Sequence, residues 1–369
     1  MQLTLPTKVT ALLPPPVRQV LLEARKQFWR LWPPRHLFVF GGRTPYWAGF
    51  GRDLYAQEPV FRATVQECER VLLALGGKSV LANFEHPADP LFLADEERLQ
   101  PFLTVVQLAL VELWRAYGIE PNAVMGVSSG EIAAVYSVGG ITLPDALRVS
   151  ISAASICRVV PPLYGALQVS TDYARAVELC AGCSVGLFVM LELEPTRQNL
   201  FCALADMEVA KAYLREQGVS AYQIKIPPIW PYHTPVLMQY KELRSGYLES
   251  ICPRPTTKPC YLATLGRVVP AGTLLPWNYW LRPPQEPVHQ YTTIRAAIAD
   301  GYSVMTPIGA FPFSYFSRSA QKRTLEKVRL MPPFQAETSE LATFAAARQQ
   351  LAALRLAPSR ASRSPLQEA

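Results

Sequence analysis

Two residues, 105 positions apart (233 − 128), have the types and settings for nucleophilic chemistry. Ser128 lies in Gly126-Val127-Ser128-Ser129-Gly130, a GxSxG pattern between a short apolar run and a helical pattern. Glycine on either side permits a tight strand-to-helix turn that projects the serine from a sheet edge. The amide of Ser129 would then face a developing oxyanion at the positive end of the helix. A serine hydroxyl needs a base to become a useful nucleophile. His233, in the loop-like segment Ile229-Trp230-Pro231-Tyr232-His233-Thr234-Pro235, is the first candidate, because histidine titrates near neutrality. A partly buried turn histidine is the alternative reading of His233. His289 is the competing base, and His36 and His86 read as peripheral.

The elements that must hold these residues follow from periodicity. His36–Phe40 is a short β-type run ending in Gly41-Gly42. Helical spacing predicts helices at about 17–31, 57–75 and 99–117. Val124–Gly126 reads as a strand and 128–136 as the helix after it, ending at Gly139-Gly140. Thr142 caps a further helix running to about Arg158. Between 165 and 226 the order of runs is βαββαβ, with helices at Tyr173–Cys180 and Glu208–Gln217, which suggests a small inserted subdomain. Strands alternating with helices give an α/β protein. The expected divisions are a helical or linker segment at 1–36, a large subdomain from 37–164 and 227–335, the insertion at 165–226, and a C-terminal helix and disordered tail at 336–369.

Composition narrows the classes. The chain has 369 residues, 50% apolar and 18% charged, as in globular proteins, with 34 prolines spread along it. The longest apolar run, Leu103–Leu113, contains Gln107 and Glu112 and is too short for a bilayer, so no membrane span is expected. The N-terminus lacks the order of a signal peptide, and seven scattered cysteines argue for a reducing cytoplasm. Cys180 and Cys183 form a lone CxxC without a second ligand pair, so no metal is expected. The net charge of +7 comes partly from Arg318, Lys322, Arg323, Lys327 and Arg329, with Arg348, Arg355, Arg360 and Arg363 in the tail. No nucleic-acid-binding signature accompanies it.

In order along 37–316, the sequence resembles the acyltransferase domains of polyketide synthases and the malonyl-CoA:acyl-carrier-protein transacylases. Phe38–Thr44 resembles the opening FVFPGQG, and Gln100-Pro101 with Gln107–Leu110 resembles QPALFAVQ-AL. Gly126–Glu131 matches GHSxGE, and Tyr232-His233-Thr234-Pro235 matches FHSP. Tyr279-Trp280, Pro287-Val288 and Ile308-Gly309 resemble later landmarks. The resemblance implies an α/β fold, a hydrolase-like large subdomain with a parallel sheet plus an inserted ferredoxin-like small subdomain. It implies Ser128 as nucleophile, His233 as base oriented by backbone carbonyls, and the amides of Ser129 and Arg43 as oxyanion hole. Gln100, Val127, Ala153, Trp230 and Tyr232 fall in the implied substrate pocket. The implied substrate is acyl-CoA or acyl-phosphopantetheine, with no bound cofactor, and the implied partner is an acidic acyl carrier protein.

The departures from the family pattern are informative. Extender-unit transferases carry an arginine 25 residues after the nucleophile, which grips the malonyl carboxylate; 128 + 25 is Ala153. The acyl group is therefore expected to be uncharged. Arg148 and Arg158 are substitutes in principle but lie five residues from Ala153, on other helix faces. Val127 replaces the motif histidine, Arg43 the GQG glutamine, Trp230-Pro231 opens the specificity tetrapeptide, and Phe311-Pro312 stands for a closing His-Pro. Arg43 reads as a solvated turn residue or as a partner for a carboxylate or phosphate. The leading reading is a carrier-protein acyltransferase; the others are an editing thioester hydrolase with the same pair and a degenerate docking module. A lipase-like order using Asp172 or Asp206 leaves the other landmarks unexplained.

Overall fold

The computed structural model describes residues 34–43, 46–85, 92, 94–226, 229–310, 328–354 and 356. The helix expected at 17–31, His86, Phe311-Pro312, the basic residues 318–327 and the tail lie outside the described residues.

Strand β1 (Arg35–Phe40) is buried along all but its first residue, as a central strand covered on both faces must be. It pairs in parallel with β2 (Ala123–Gly126), and helices α1 (Arg52–Gln57), α2 (Pro59–Ala74), α3 (Ala82–Glu85) and α4 (Glu96–Ala116) come between them. The 103–113 run falls in α4, whose long buried face packs on α2 and on the helices after β2, α5 (Gly130–Ser137) and α6 (Leu143–Ala154). Thr142 caps α6 by accepting the Asp145 amide, but the helix stops at Ala154 and tightens into a 3-10 turn at Ser155–Arg158.

The chain then builds a separate antiparallel sheet from β3 (Tyr164–Val169), β4 (Leu187–Glu194), β5 (Arg197–Ala203) and β6 (Ala221–Gln223), in the order β4-β5-β3-β6. Helices α7 (Tyr173–Gly182) and α8 (Met207–Glu216) complete the ferredoxin-like βαββαβ order. Their apolar faces form their own core with Leu167, Leu179, Leu200, Ala210 and Leu214. Beyond it come α9 (Lys241–Leu248), β7 (Cys260–Leu262), β8 (Arg267–Val269), α10 (Gln290–Ala299), β9 (Tyr302–Ile308), β10 (Arg329–Leu330) and α11 (Glu340–Ala353).

The large sheet has the order β10-β9-β1-β2-β7-β8. It is parallel, as expected, except for β8, which returns antiparallel on β7 through a four-residue turn. A short turn can only join antiparallel neighbours. Among the described residues no helix is long and apolar enough to cross a membrane.

Candidate active site

The pairing register sets the site. Phe40 is the partner of Gly126, so the turns leaving β1 and β2 emerge side by side at the carboxyl edge of the sheet, where open α/β folds bind ligands. The β2 turn is sterically committed to glycine. A Cβ on Gly126 would lie 2.5 Å from the Glu131 Cα, and one on Gly130 would lie 2.4 Å from the Phe40 carbonyl oxygen. That closeness brings the helix N-terminus onto the end of β1.

Ser128 has φ of 56° and His233 has φ of 64°; among the described residues they are the only non-glycine residues with positive φ. Such backbone costs energy and persists where surrounding contacts enforce it. The Ser128 hydroxyl donates to His233 Nε2 at 2.9 Å. On the far side of the ring, Nδ1–H donates to the Glu286 carbonyl at 3.2 Å. A carbonyl only accepts, so the tautomer is fixed with Nε2 free to accept the serine proton. The His233 amide also donates to the Pro284 carbonyl at 2.6 Å. Desolvation lowers the ring pKa from 6.5 to about 4, leaving a neutral base at physiological pH.

Several positioning residues were not singled out by sequence reasoning. Arg282 and Glu286 form a two-bond fork at 2.7 and 2.8 Å across Pro283-Pro284, which stiffens the loop carrying both carbonyls. Glu131, in the first turn of α5, accepts the Thr264 amide at 2.7 Å and the Tyr279 hydroxyl at 2.6 Å, and burial pushes its pKa up to about 7. Gln107 donates to the Gly41 carbonyl at 2.7 Å, tying α4 to the turn after β1. An i,i+4 acid–base pair and a Pro-Pro turn are visible in a sequence, but their target is not.

A cleft of about 730 Å³ runs from this pair between the two sheets, lined from the small sheet by Ala166, Met190, Leu191, Asn199 and Phe201. Every expected site residue lines it: Ser128, Ser129, His233, Arg43, Gln100, Val127, Ala153, Trp230 and Tyr232. Ser129 is the N-cap of α5, so its amide belongs to the helix-end donors that lack an intrahelical acceptor. Gly42 touches the serine: a Cβ there would come within 3.1 Å of the Ser128 Cβ, which sets the Gly42–Arg43 backbone beside the nucleophile. Val127 is buried among Leu37, Val39 and Met125.

At the end of the cleft that would take the acyl group, Arg43 follows the second of its two readings, a partner for a carboxylate: Nη2 lies 3.2 Å from Glu96 Oε2, and the Glu96 side chain has 0% exposure. Gln100 donates to the other oxygen, Glu96 Oε1, at 2.6 Å. Desolvation raises the Glu96 pKa against the pull of Arg43 and Gln100. Tyr232 reaches across to Ala153, its hydroxyl donating to the Ala153 carbonyl at 3.0 Å. Trp230 packs beside it on Ile156, Val160 and Leu237.

The other candidates lie elsewhere. Arg158 is held by Glu97 and the Tyr247 hydroxyl, outside the cleft, and Arg148 does not line it either. His289 is 3.4 Å from Glu192 and does not line the cleft. His36 is buried on β1 beside Thr306 at 2.7 Å, with its pKa lowered to about 3 by desolvation. Asp172 caps α7 in the small sheet's layer. Among the described residues no three His, Cys, Asp or Glu side chains group as metal ligands.

A family model described as the acyl transferase domain matches residues 37–358. The spectinabilin polyketide synthase system protein NorA of Streptomyces orinoci is 28% identical over 278 residues, covering 75% of this chain and 14% of that protein. The chain thus spans about a seventh of that relative's length. The acyltransferase domain from the second module of the salinomycin polyketide synthase has the same fold, with a TM-score of 0.77 at 22% identity over 95% of this chain and 84% of that chain. A loading acyltransferase from the avermectin modular polyketide synthase gives a TM-score of 0.70 at 25% identity, covering 86% of this chain and 99% of that one.

Proposed function

The chain belongs to the acyl transferase domain family, and from that premise we propose that it moves an uncharged acyl group between thioesters through an ester on Ser128. The observation that carries this reading is the 2.9 Å Ser128–His233 contact, made by the two strained residues at the floor of the cleft. In the first half-reaction Ser128 Oγ attacks the thioester carbonyl carbon while His233 Nε2 takes its proton. The oxyanion is met by the amides of Ser129 and Arg43. Collapse breaks the C–S bond, and the imidazolium returns the proton to the departing thiolate. In the second half, His233 takes the proton of an incoming thiol, whose sulfur attacks the ester carbonyl. Ser128 leaves with that proton.

The acceptor thiol in this reading is the phosphopantetheine of an acyl carrier protein, and the donor is acyl-CoA or another acyl-phosphopantetheine. The chain's net charge of +7 favours encounter with an acidic carrier. The neutral acyl group follows from Ala153: no guanidinium stands there, and the Tyr232 hydroxyl occupies its carbonyl. An unpaired carboxylate in that setting costs on the order of 3–5 kcal/mol. Intact-mass measurement after brief exposure to acetyl-, longer acyl- and malonyl thioesters tests the reading. A neutral acyl adduct that disappears in Ser128→Ala is expected. An adduct from malonyl thioester at an equal rate would refute the neutral-acyl assignment.

A further inference from the structure

The Arg43–Glu96 pair puts two charged groups into a cleft whose lining is otherwise mainly apolar. Glu96 opens α4, next to its N-cap Asp95, and the helix dipole favours an anion there. Its side chain is fully buried, with one oxygen on Gln100 and the other on Arg43. Arg43 follows Gly42, which abuts Ser128, so the pair reaches from the nucleophile's neighbourhood to the acyl end. Arg43, Glu96, Tyr232 and Ala153 line the same cleft, and the Tyr232 hydroxyl is bonded to the Ala153 carbonyl. The pair therefore shares that cleft with the position where a carboxylate-gripping arginine is missing.

Two consequences follow from its chemistry. A guanidinium already facing a buried carboxylate offers little net attraction to a second carboxylate, and Glu96 repels one directly. The pair nevertheless leaves polar atoms over, since Glu96 Oε2 meets Arg43 as an ion pair without a hydrogen bond. Arg43 Nε is buried without a partner among the described residues, and so is the indole N–H of Trp230 in the same cleft. Buried donors without acceptors are uncommon in folded proteins, and an occupied ligand site is one reason for them.

We propose that the Arg43–Glu96 pair is the selectivity element of the acyl pocket, excluding acyl groups with a carboxylate and offering N–H donors to an uncharged oxygen on the chain. The substrate class is then an oxygenated, neutral acyl thioester, such as a hydroxyacyl group, in preference to a plain alkyl chain. This rests on the acyl-transfer reading above and deepens it.

The test uses the 369-residue chain carrying Ser128→Ala, expected to bind thioesters without consuming them. Malonyl-, butyryl- and 3-hydroxybutyryl-pantetheine are titrated by calorimetry, alone and with Glu96→Gln or Arg43→Gln added; melting temperature reports folding. Expected in Ser128→Ala is the order hydroxybutyryl, butyryl, malonyl from tightest to weakest. Glu96→Gln frees the guanidinium and strengthens malonyl binding about tenfold or more. Arg43→Gln abolishes the preference for hydroxybutyryl over butyryl and gives no malonyl gain. If folded Glu96→Gln gains nothing for malonyl, or Arg43→Gln gains as much, the selectivity role is overturned while the neutral-acyl reading stands. If the single variant already prefers malonyl, both fall. Arg43→Gln alters a half-buried loop side chain rather than the fully buried carboxylate, so it decides the matter should Glu96→Gln fail to fold.

Discussion

The two ends of the cleft are built on different principles. At the nucleophile end, position is set by backbone: parallel register, glycines that admit no Cβ, and two left-handed residues facing each other. At the acyl end, position is set by side chains from distant segments: Arg43 against Glu96, and Tyr232 against Ala153. Backbone-built geometry tolerates little change and supplies the general chemistry. Side-chain geometry can be exchanged without disturbing the turn, and in the proposed function it sets which acyl group is accepted. The expected outcomes below press on this contrast, beginning with the largest.

Ser128→Ala should abolish the acyl adduct and lower turnover by at least about a thousandfold, measured as release of thiol from an acyl thioester. Its melting temperature should change little, because the hydroxyl's only described partner is His233. Gly130→Ala should break the backbone-built end by strain. Its Cβ would meet the Phe40 carbonyl oxygen at 2.4 Å, and the loss of stability should be about 3 kcal/mol or more, read by chemical denaturation. Unchanged stability would mean that the turn is not held as tightly as its contacts indicate.

The pH profile sharpens the comparison further. In the proposed mechanism His233 acts in its neutral form, and burial lowers its pKa from 6.5 to about 4. The base form therefore persists as pH falls through 6.5, and kcat/KM should hold down to about pH 5 and decline below it. A decline centred near 6.5 would show a solvated ring. Arg282→Ala should loosen the loop that presents the Glu286 carbonyl, lowering kcat about tenfold with little change in KM. The smallest effect belongs to the acyl end: Tyr232→Phe removes one hydrogen bond to Ala153 and should cost about 1 kcal/mol of stability while changing acyl preference.

The same contrast decides what the sequence made legible. The Ser128 turn is local, five consecutive residues with their glycines, so its chemistry and its strand–turn–helix setting can be read directly. The ferredoxin-like insertion is legible for the same reason, because alternating runs and helical spacing fall in βαββαβ order. The antiparallel β8 edge is only three residues long, Arg267–Val269, too short for a periodicity to distinguish. Arg43 and Glu96 are 53 residues apart (96 − 43), and Glu96 lies in a run of charges that reads as a helix start. Only α4 docking beside the β1 turn brings them together. Glu286 is illegible in a different way, since it acts through its backbone carbonyl, which any residue possesses.

Intact mass of the wild-type protein and Ser128→Ala after brief exposure to paired neutral acyl and malonyl thioesters tests the central claim most directly. The account predicts a mass gain equal to the neutral acyl group, absent in Ser128→Ala, with little or no malonyl adduct. A serine-dependent malonyl adduct formed as readily would contradict the assignment of the acyl end, and thioester left intact by the wild type with no adduct would contradict the chemistry assigned to Ser128 and His233.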